Sequence, residues 1–173
     1  DSIDTQGNVT QLNPITAKAN VLEAMYSPDG QHILATETNS TQDDVVIFNA
    51  DGSNGKVIYT DTDTPPAFVP RLSSPTWSAD GKTIYFMRGA DIWQMNADGS
   101  SAQKLITGDP TTTDPVQKDE AAPLPSPDGA KLAWEELTLA ASDGVPRSAL
   151  FVGDAHGGSP QLVQSQAVWP AWS

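Results

Sequence analysis

"WSADGKTIYFMRGADIWQMNADGSSAQKLIT", Trp77 to Thr107, holds two glycine turns and three strand-like runs in 31 residues. An Asp or Asn stands early in each turn, where its side chain can bond the local backbone, and Gly supplies the positive φ a tight hairpin needs. The runs "TIYFMR" and "DIWQMN" are rich in the β-branched and aromatic residues that strands favour. Both turns recur outward from this stretch. "SPDG" at Ser27 to Gly30 and at Ser126 to Gly129 matches "SADG" at Ser78 to Gly81. Ser27, Asp29, Gly30, Ser78, Asp80, Gly81, Ser126, Asp128 and Gly129 therefore hold equivalent places. The serine recurs at 27, 78, 126 and 173, in steps of 51, 48 and 47 residues. The second turn keeps the same time, as "DTQGN" (Asp4 to Asn8), "NADGS" (Asn49 to Ser53), "NADGS" (Asn96 to Ser100) and "DAHGG" (Asp154 to Gly158). Two interleaved turns in phase over three periods define an internal repeat.

Four strand-like segments fall in each period. They are "VLEAMYS", "HILATE", "DVVIFN" and "KVIYT", then "SSPTWS", "TIYFMR", "DIWQMN" and "AQKLIT", then "AAPLPS", "KLAWEE", "SALFVG" and "PQLVQ". No stretch sustains a helical apolar period with caps, so the chain reads as all-β. Four antiparallel strands in a repeat of this length are the signature of a β-propeller blade. Central runs such as Val45 to Phe48 and Leu150 to Val152 are apolar on both faces, as sheets sandwiched between neighbours require. The expected architecture is three full blades plus partial blades at both ends. A partial blade of two outer strands spans 1–20, full blades span 21–66, 67–114 and 115–165, and the innermost strand of a next blade spans 166–173. Blades bury their faces on neighbours, so a larger ring is expected, completed by more of the chain or by another molecule. Closure as a four-bladed monomer by the terminal strands ranks second.

The series S-P-D-G, "KTIYFM" and "DIWQMNADGSSAQKLIT" resembles the TolB-like, WD-type propeller repeat. The resemblance covers essentially the whole chain and is strongest in the second repeat. The third repeat departs from it, with Pro125 in the place of Trp77 and His156 in the place of Asp51 and Asp98. The resemblance implies a propeller found mostly in periplasmic, exported or peptidase-associated proteins. It implies no single function, because function resides in sites rather than folds.

Composition narrows the setting. The 173 residues include 22 acidic and 9 basic ones, a net charge of −13, which disfavours a nucleic-acid partner. No apolar run reaches the length of a membrane span, and no basic-then-apolar leader opens the chain. Cysteine is absent, so disulfides, thiolate metal sites and cysteine nucleophiles are excluded. A cysteine-free acidic chain rich in Thr, Ser, Asp and Gln fits an exported protein, periplasmic or extracellular.

Catalytic signals are thin, and no cofactor is expected. His32 and His156, the two histidines, sit in or beside the regular turns. There is no G-x-S-x-G elbow, no H-E-x-x-H and no phosphate-cradling glycine loop. A pectate-degrading group of propellers uses several histidines and a metal, which two scattered histidines do not rebuild. The acid pairs Asp43–Asp44 and Asp61–Asp63 offer oxygen ligands for calcium, with Asp61 and Asp63 the weak candidates. Solvated acidic loops are the favoured reading of both pairs. "NVT" at Asn8 and "NST" at Asn39 are glycosylation sequons, meaningful only in a eukaryotic secretory host. Trp77, Trp93, Trp134 and Trp172 read as blade-core residues.

Irregularity is concentrated in one set of connections. "TNSTQD", "DTDTPPAFVPR", "GDPTTTDPVQKDEAAP" and "TLAASDGVPR" all fall on the rim opposite the regular turns. A variable rim on a rigid scaffold is where binding is expected. The candidate partner-facing residues are Asp61, Asp63, Phe68, Arg71, Asp114, Lys118, Asp119, Glu120 and Arg147. A non-catalytic protein-binding propeller, in the setting of an envelope or membrane complex, is the first functional expectation. The propeller portion of a larger, prolyl-oligopeptidase-like enzyme is the second. A subunit that self-assembles through open blade edges is the third.

Overall fold

Antiparallel pairing organises the computed structural model, which describes residues 2–3, 9–10, 20–63, 71–108, 122–139, 146–165 and 171–172 and contains no helix among them. A short pair, β1 (Ser2–Ile3) and β2 (Val9–Thr10), precedes three four-stranded sheets. The first comprises β3 (Asn20–Tyr26), β4 (His32–Thr38), β5 (Asp43–Asn49) and β6 (Lys56–Asp61). The second comprises β7 (Leu72–Trp77), β8 (Thr83–Arg88), β9 (Asp91–Asn96) and β10 (Gln103–Ile106). The third comprises β11 (Leu124–Pro125), β12 (Lys131–Leu139), β13 (Pro146–Asp154) and β14 (Gln161–Ser165). Within each sheet the strands lie in chain order.

The apolar central runs decide how the sheets stack. In β5, Val45 joins Leu34 in a cluster with Leu72, Trp77, Ile84, Phe86 and Met95 of the second sheet. Val46 and Phe48 pack with Ile33 and Ala35 in a separate cluster. Tyr85, Met87 and Ile92 meet Leu132 and Trp134 of the third sheet. A strand buried on both faces belongs between two layers. The strand β7 contacts both β3 and β11, so the first strands of the sheets converge. The last strands face outward, and Gln161 to Gln164 of β14 are exposed.

The repeated serine now has a physical role. The Ser27 hydroxyl donates to Asp29 Oδ1 at 2.6 Å and accepts the His32 N–H at 3.0 Å. Asp29 Oδ1 also takes the Gln31 N–H at 3.0 Å, and the Gly30 N–H bonds the Ser27 carbonyl at 2.9 Å. Ser78 with Asp80 and Ser126 with Asp128 repeat this arrangement. Gly30, Gly81 and Gly129 have φ of 69°, 69° and 71°, a region open to glycine at no steric cost.

The second turns show how the third repeat tolerates its departure. In the first two, Asp51 and Asp98 each take a serine N–H, from Ser53 and Ser100, at 2.9 Å. In the third, Asp154 accepts from the His156 N–H at 2.9 Å and the Gly158 N–H at 3.0 Å. The carboxylate has moved to the head of the turn, so His156 is accommodated. Gly99 has a second duty besides its φ of 90°, because a Cβ there would lie 2.2 Å from the Ile58 carbonyl oxygen of the first sheet.

Three sequence expectations are corrected. The strand expected over "AAPLPS" shrinks to two residues, since Pro123 and Pro125 remove ladder donors. The connection "TLAASDGVPR" is not all loop, because Thr138 pairs Arg147 and Leu139 pairs Pro146 at the end of a long hairpin. Asp43 and Asp44 are not loop residues either; they open β5 and are buried.

Candidate functional site

Antiparallel topology gives the stack two unlike rims. The two turns of each sheet are tied together by backbone bonds, Ala50 N–H to Gln31 O at 2.9 Å, Ala97 to Lys82 at 2.8 Å and Ala155 to Ala130 at 3.1 Å. They form one regular rim. In the three four-stranded sheets the described strand ends Thr38, Asp61, Arg88, Ile106 and Leu139 lie at the opposite, irregular rim.

At the irregular rim, between the first and second sheets, sits a polar network. Arg88, the last residue of β8, reaches across to Asp61 at the end of β6, with Nε to Oδ2 at 2.8 Å and Nη2 to Oδ1 at 3.2 Å. Its Nη2 also meets the Asp63 carboxylate. Arg71 donates to the Asp63 carbonyl at 2.6 Å and to Asp43 Oδ1 at 3.4 Å. Asp43 further accepts from the Thr38 hydroxyl at 2.6 Å and the Leu72 N–H at 3.2 Å. Asp44 accepts from Thr60 at 2.6 Å and from both contacts of the Gln42 amide. The guanidinium of Arg88 lies 4.8 Å from the Trp93 ring centroid, above a cluster of Tyr59, Phe86 and Trp93.

Electrostatics follow from that geometry. Burial pushes the Asp61 carboxyl up, but the Arg88 hydrogen bonds and the Asp63 N–H outweigh it and leave the group below the usual carboxylate range. The bonded Asp61 carboxylate in turn raises Arg88. Both oxygens of Asp61 are engaged by a cation the protein itself supplies. Asp61 is thus neither the solvated loop carboxylate favoured from sequence nor a free calcium ligand. Among the described residues no group of three His, Cys, Asp or Glu is placed to hold a metal ion.

The candidate residues fall into three groups. Asp61, Asp63 and Arg71 are brought together, and only Asp63 remains largely open, with 76% of its side chain exposed. Arg147 lies in β13 opposite Thr138. Phe68, Asp114, Lys118, Asp119 and Glu120 lie outside the described residues. The residue that organises the network, Arg88, was absent from the sequence reading. Its signal was a charge reversal, since Glu37 and Glu136 hold the equivalent positions in the other repeats. His32 and His156 both lie on the regular rim, on different sheets, and donate backbone N–H groups to their turns.

The regular rim carries a concave feature. A cleft of about 660 Å³ opens between the first two sheets, over Ile47, Phe48, Ile58 and Trp77, with Asp29 and Asp80 on its two lips.

No protein-family model matches the chain. No curated protein matches it either. Solved structures do. The chain superposes on the oligogalacturonate lyase of Vibrio parahaemolyticus with a TM-score of 0.63 at 13% identity, covering 97% of this chain and 47% of that one. A structure described as TolB from Agrobacterium tumefaciens gives a TM-score of 0.59 at 22% identity, over 83% and 50% of the two chains. The β-propeller domain of the trilobed protease from Pyrococcus furiosus gives 0.52 at 16% identity, over 85% and 42%. The fold is a β-propeller. It is TolB-like in architecture, and each sheet is a blade. The chain spans about half the length of the first two of these structures. Propellers of this shape thus occur both in enzymes and in TolB.

Proposed function

We propose that the chain is a non-catalytic β-propeller of an exported or envelope-associated protein, docking a protein partner through its irregular rim. One observation carries this reading. The regular rim repeats one hydrogen-bonding scheme three times, whereas the sequence stretches that vary in length and composition join strand ends at the other rim. A rigid scaffold with variability confined to one face suits recognition. The Arg88 network refines which residues take part. Asp61 and Arg71 hold blades together, so partner contacts fall to the outer connections, with Phe68 and the stretch Asp114 to Glu120 the leading candidates. Replacing Asp114 to Pro123 with a Gly/Ser linker tests it in cross-linking of envelope fractions from the source cell. Partner capture should fall with little change in melting temperature. Retained capture with lost stability would make the stretch structural and remove the proposal.

A second reading is favoured by the likeness to the trilobed protease propeller. In it the blades gate access to a separate catalytic domain. The gene flanking these residues discriminates, since a G-x-S-x-G region on a hydrolase-like segment supports the enzyme and further propeller repeats support the binder.

A further inference from the structure

The cleft on the regular rim lies at the opposite end of the blades from the proposed docking face, and nothing in that proposal uses it. Its volume of about 660 Å³ falls within the range of small-ligand and peptide pockets. The floor is apolar, from Ile47, Phe48, Ile58 and Trp77. Trp77 is only 7% exposed, and its indole N–H has no acceptor among the described residues. The lips are acidic. Asp29 and Asp80 use Oδ1 for their turn bonds, and Asp80 Oδ2 has only the exposed Lys82 at 3.6 Å. Hydrogen bonds from Ser27 and Ser78 hold both carboxyls below the usual range, so they stay charged near neutral pH. His32 and Lys56 also line the cleft, His32 beside Asp29 and Lys56 in the field of Asp98 on the neighbouring turn. At the second blade interface the matching place holds a strut, the Tyr85 hydroxyl donating to the Ala155 carbonyl at 3.1 Å. Leu34 stands where Tyr85 does and carries no hydroxyl, and Ala97, the counterpart of Ala155, lines the open cleft.

We propose that this cleft binds a short extended peptide segment with an apolar side chain beside a lysine or arginine. The apolar side chain enters over Phe48 and Trp77, and the cation meets Asp29 and Asp80. An anion would be repelled by the lips, and a neutral sugar would leave floor and charges unmatched.

The test titrates the ¹⁵N-labelled chain with the blocked pentapeptide Gly-Leu-Lys-Leu-Gly. The Trp77 indole signal, one of five and identified with Trp77→Phe, should shift saturably. The same peptide with Glu for Lys should not produce that shift. The double substitution Asp29→Asn and Asp80→Asn keeps the Oδ1 acceptors of the turns and should weaken binding about threefold to tenfold, the range for two exposed charge pairs. Ala79→Phe, on one lip, should abolish it; if that variant does not fold, the charge variant and the Glu peptide decide. Absence of a saturable shift at millimolar peptide overturns the proposal, as does equal affinity for the Glu peptide. Replacing Asp114 to Pro123 should leave this affinity unchanged, so the two proposals fail independently.

Discussion

The two blade interfaces are built from equivalent positions and both bury an apolar cluster, yet the first adds a network of crossing ion pairs at its rim. Between the first and second blades, Arg71 and Arg88 cross to Asp43, Asp61 and Asp63. Between the second and third, an apolar cluster of Tyr85, Met87, Ile92, Leu132 and Trp134 crosses, and the Tyr85 hydroxyl adds a hydrogen bond. Gly108 holds the place of Asp61 there, and a Cβ on it would lie 2.0 Å from the Ala90 carbonyl oxygen. Bulk is exchanged as well. Leu34 opposes Trp77 at the first interface, whereas their counterparts at the second are Tyr85 and Pro125. The repeat therefore dictates the backbone and leaves each seam to be filled by whatever pair of residues sums to the right volume and charge.

The largest effect should come from emptying the apolar seam. Trp134 is 2% exposed, and Trp134→Ala should cost about 3–5 kcal/mol. Urea unfolding should show a lower midpoint with an unchanged slope, and the loss should be the same in low and high salt. A salt-sensitive loss would erase the contrast between seams.

Next is the polar seam. Arg88→Met leaves Asp61, 4% exposed, without its guanidinium and should cost about 2 kcal/mol, below the range for fully buried pairs because the rim is partly open. Adding Asp61→Asn should recover part of that loss, giving a coupling energy on the order of 1 kcal/mol in a double-mutant cycle. Strict additivity would mean that the pair is not a lock.

Much of this architecture was readable beforehand, and for a definite reason. Ser27, Ser78 and Ser126 each satisfy a hydroxyl, a carboxylate and a backbone N–H within a few residues, so the information is local and recurs. The strands between those turns followed. The Arg88–Asp61 pair joins residues 27 apart on different sheets, and no local rule links them. Asp61 read as solvated because sequence shows charge but not what folds over it. Pro123 and Pro125 do announce the short β11 through their missing N–H groups.

Acid should separate the seams by a smaller margin. Asp61 is held below its ordinary pKa, so its contribution is present at neutral pH and lost as pH falls through and below about 4. Asp29, Asp80 and Asp128, lowered chiefly by serine hydroxyls, follow the same sign but act in all three blades. Glu37 opposes them, since burial and then Asp44 raise its carboxyl and its protonation favours the folded state. The fall in melting temperature from neutral pH to about pH 3 should be smaller in the Arg88→Met, Asp61→Asn chain. An identical fall would assign the acid sensitivity to the turns alone.

The smallest change is Tyr85→Phe, which removes one hydrogen bond and should cost about 0.5–1.5 kcal/mol. Hydrogen exchange should report it as faster opening at Ala155 and its neighbours, leaving the first seam untouched.

The close approach of Gly99 to Ile58 has a consequence for how the chain is made. A blade's outer strand receives its covering contact from the turn of the blade that follows it, and Gly157 repeats this against Leu105 and Ile106. On the ribosome, the first blade can pair its own four strands once Asp61 has emerged, but it waits for Gly99 before that edge is sheltered. Synthesis thus hands each blade to its successor. A pause after one blade would present an uncovered strand to the cytosolic or secretory machinery until the next glycine arrives.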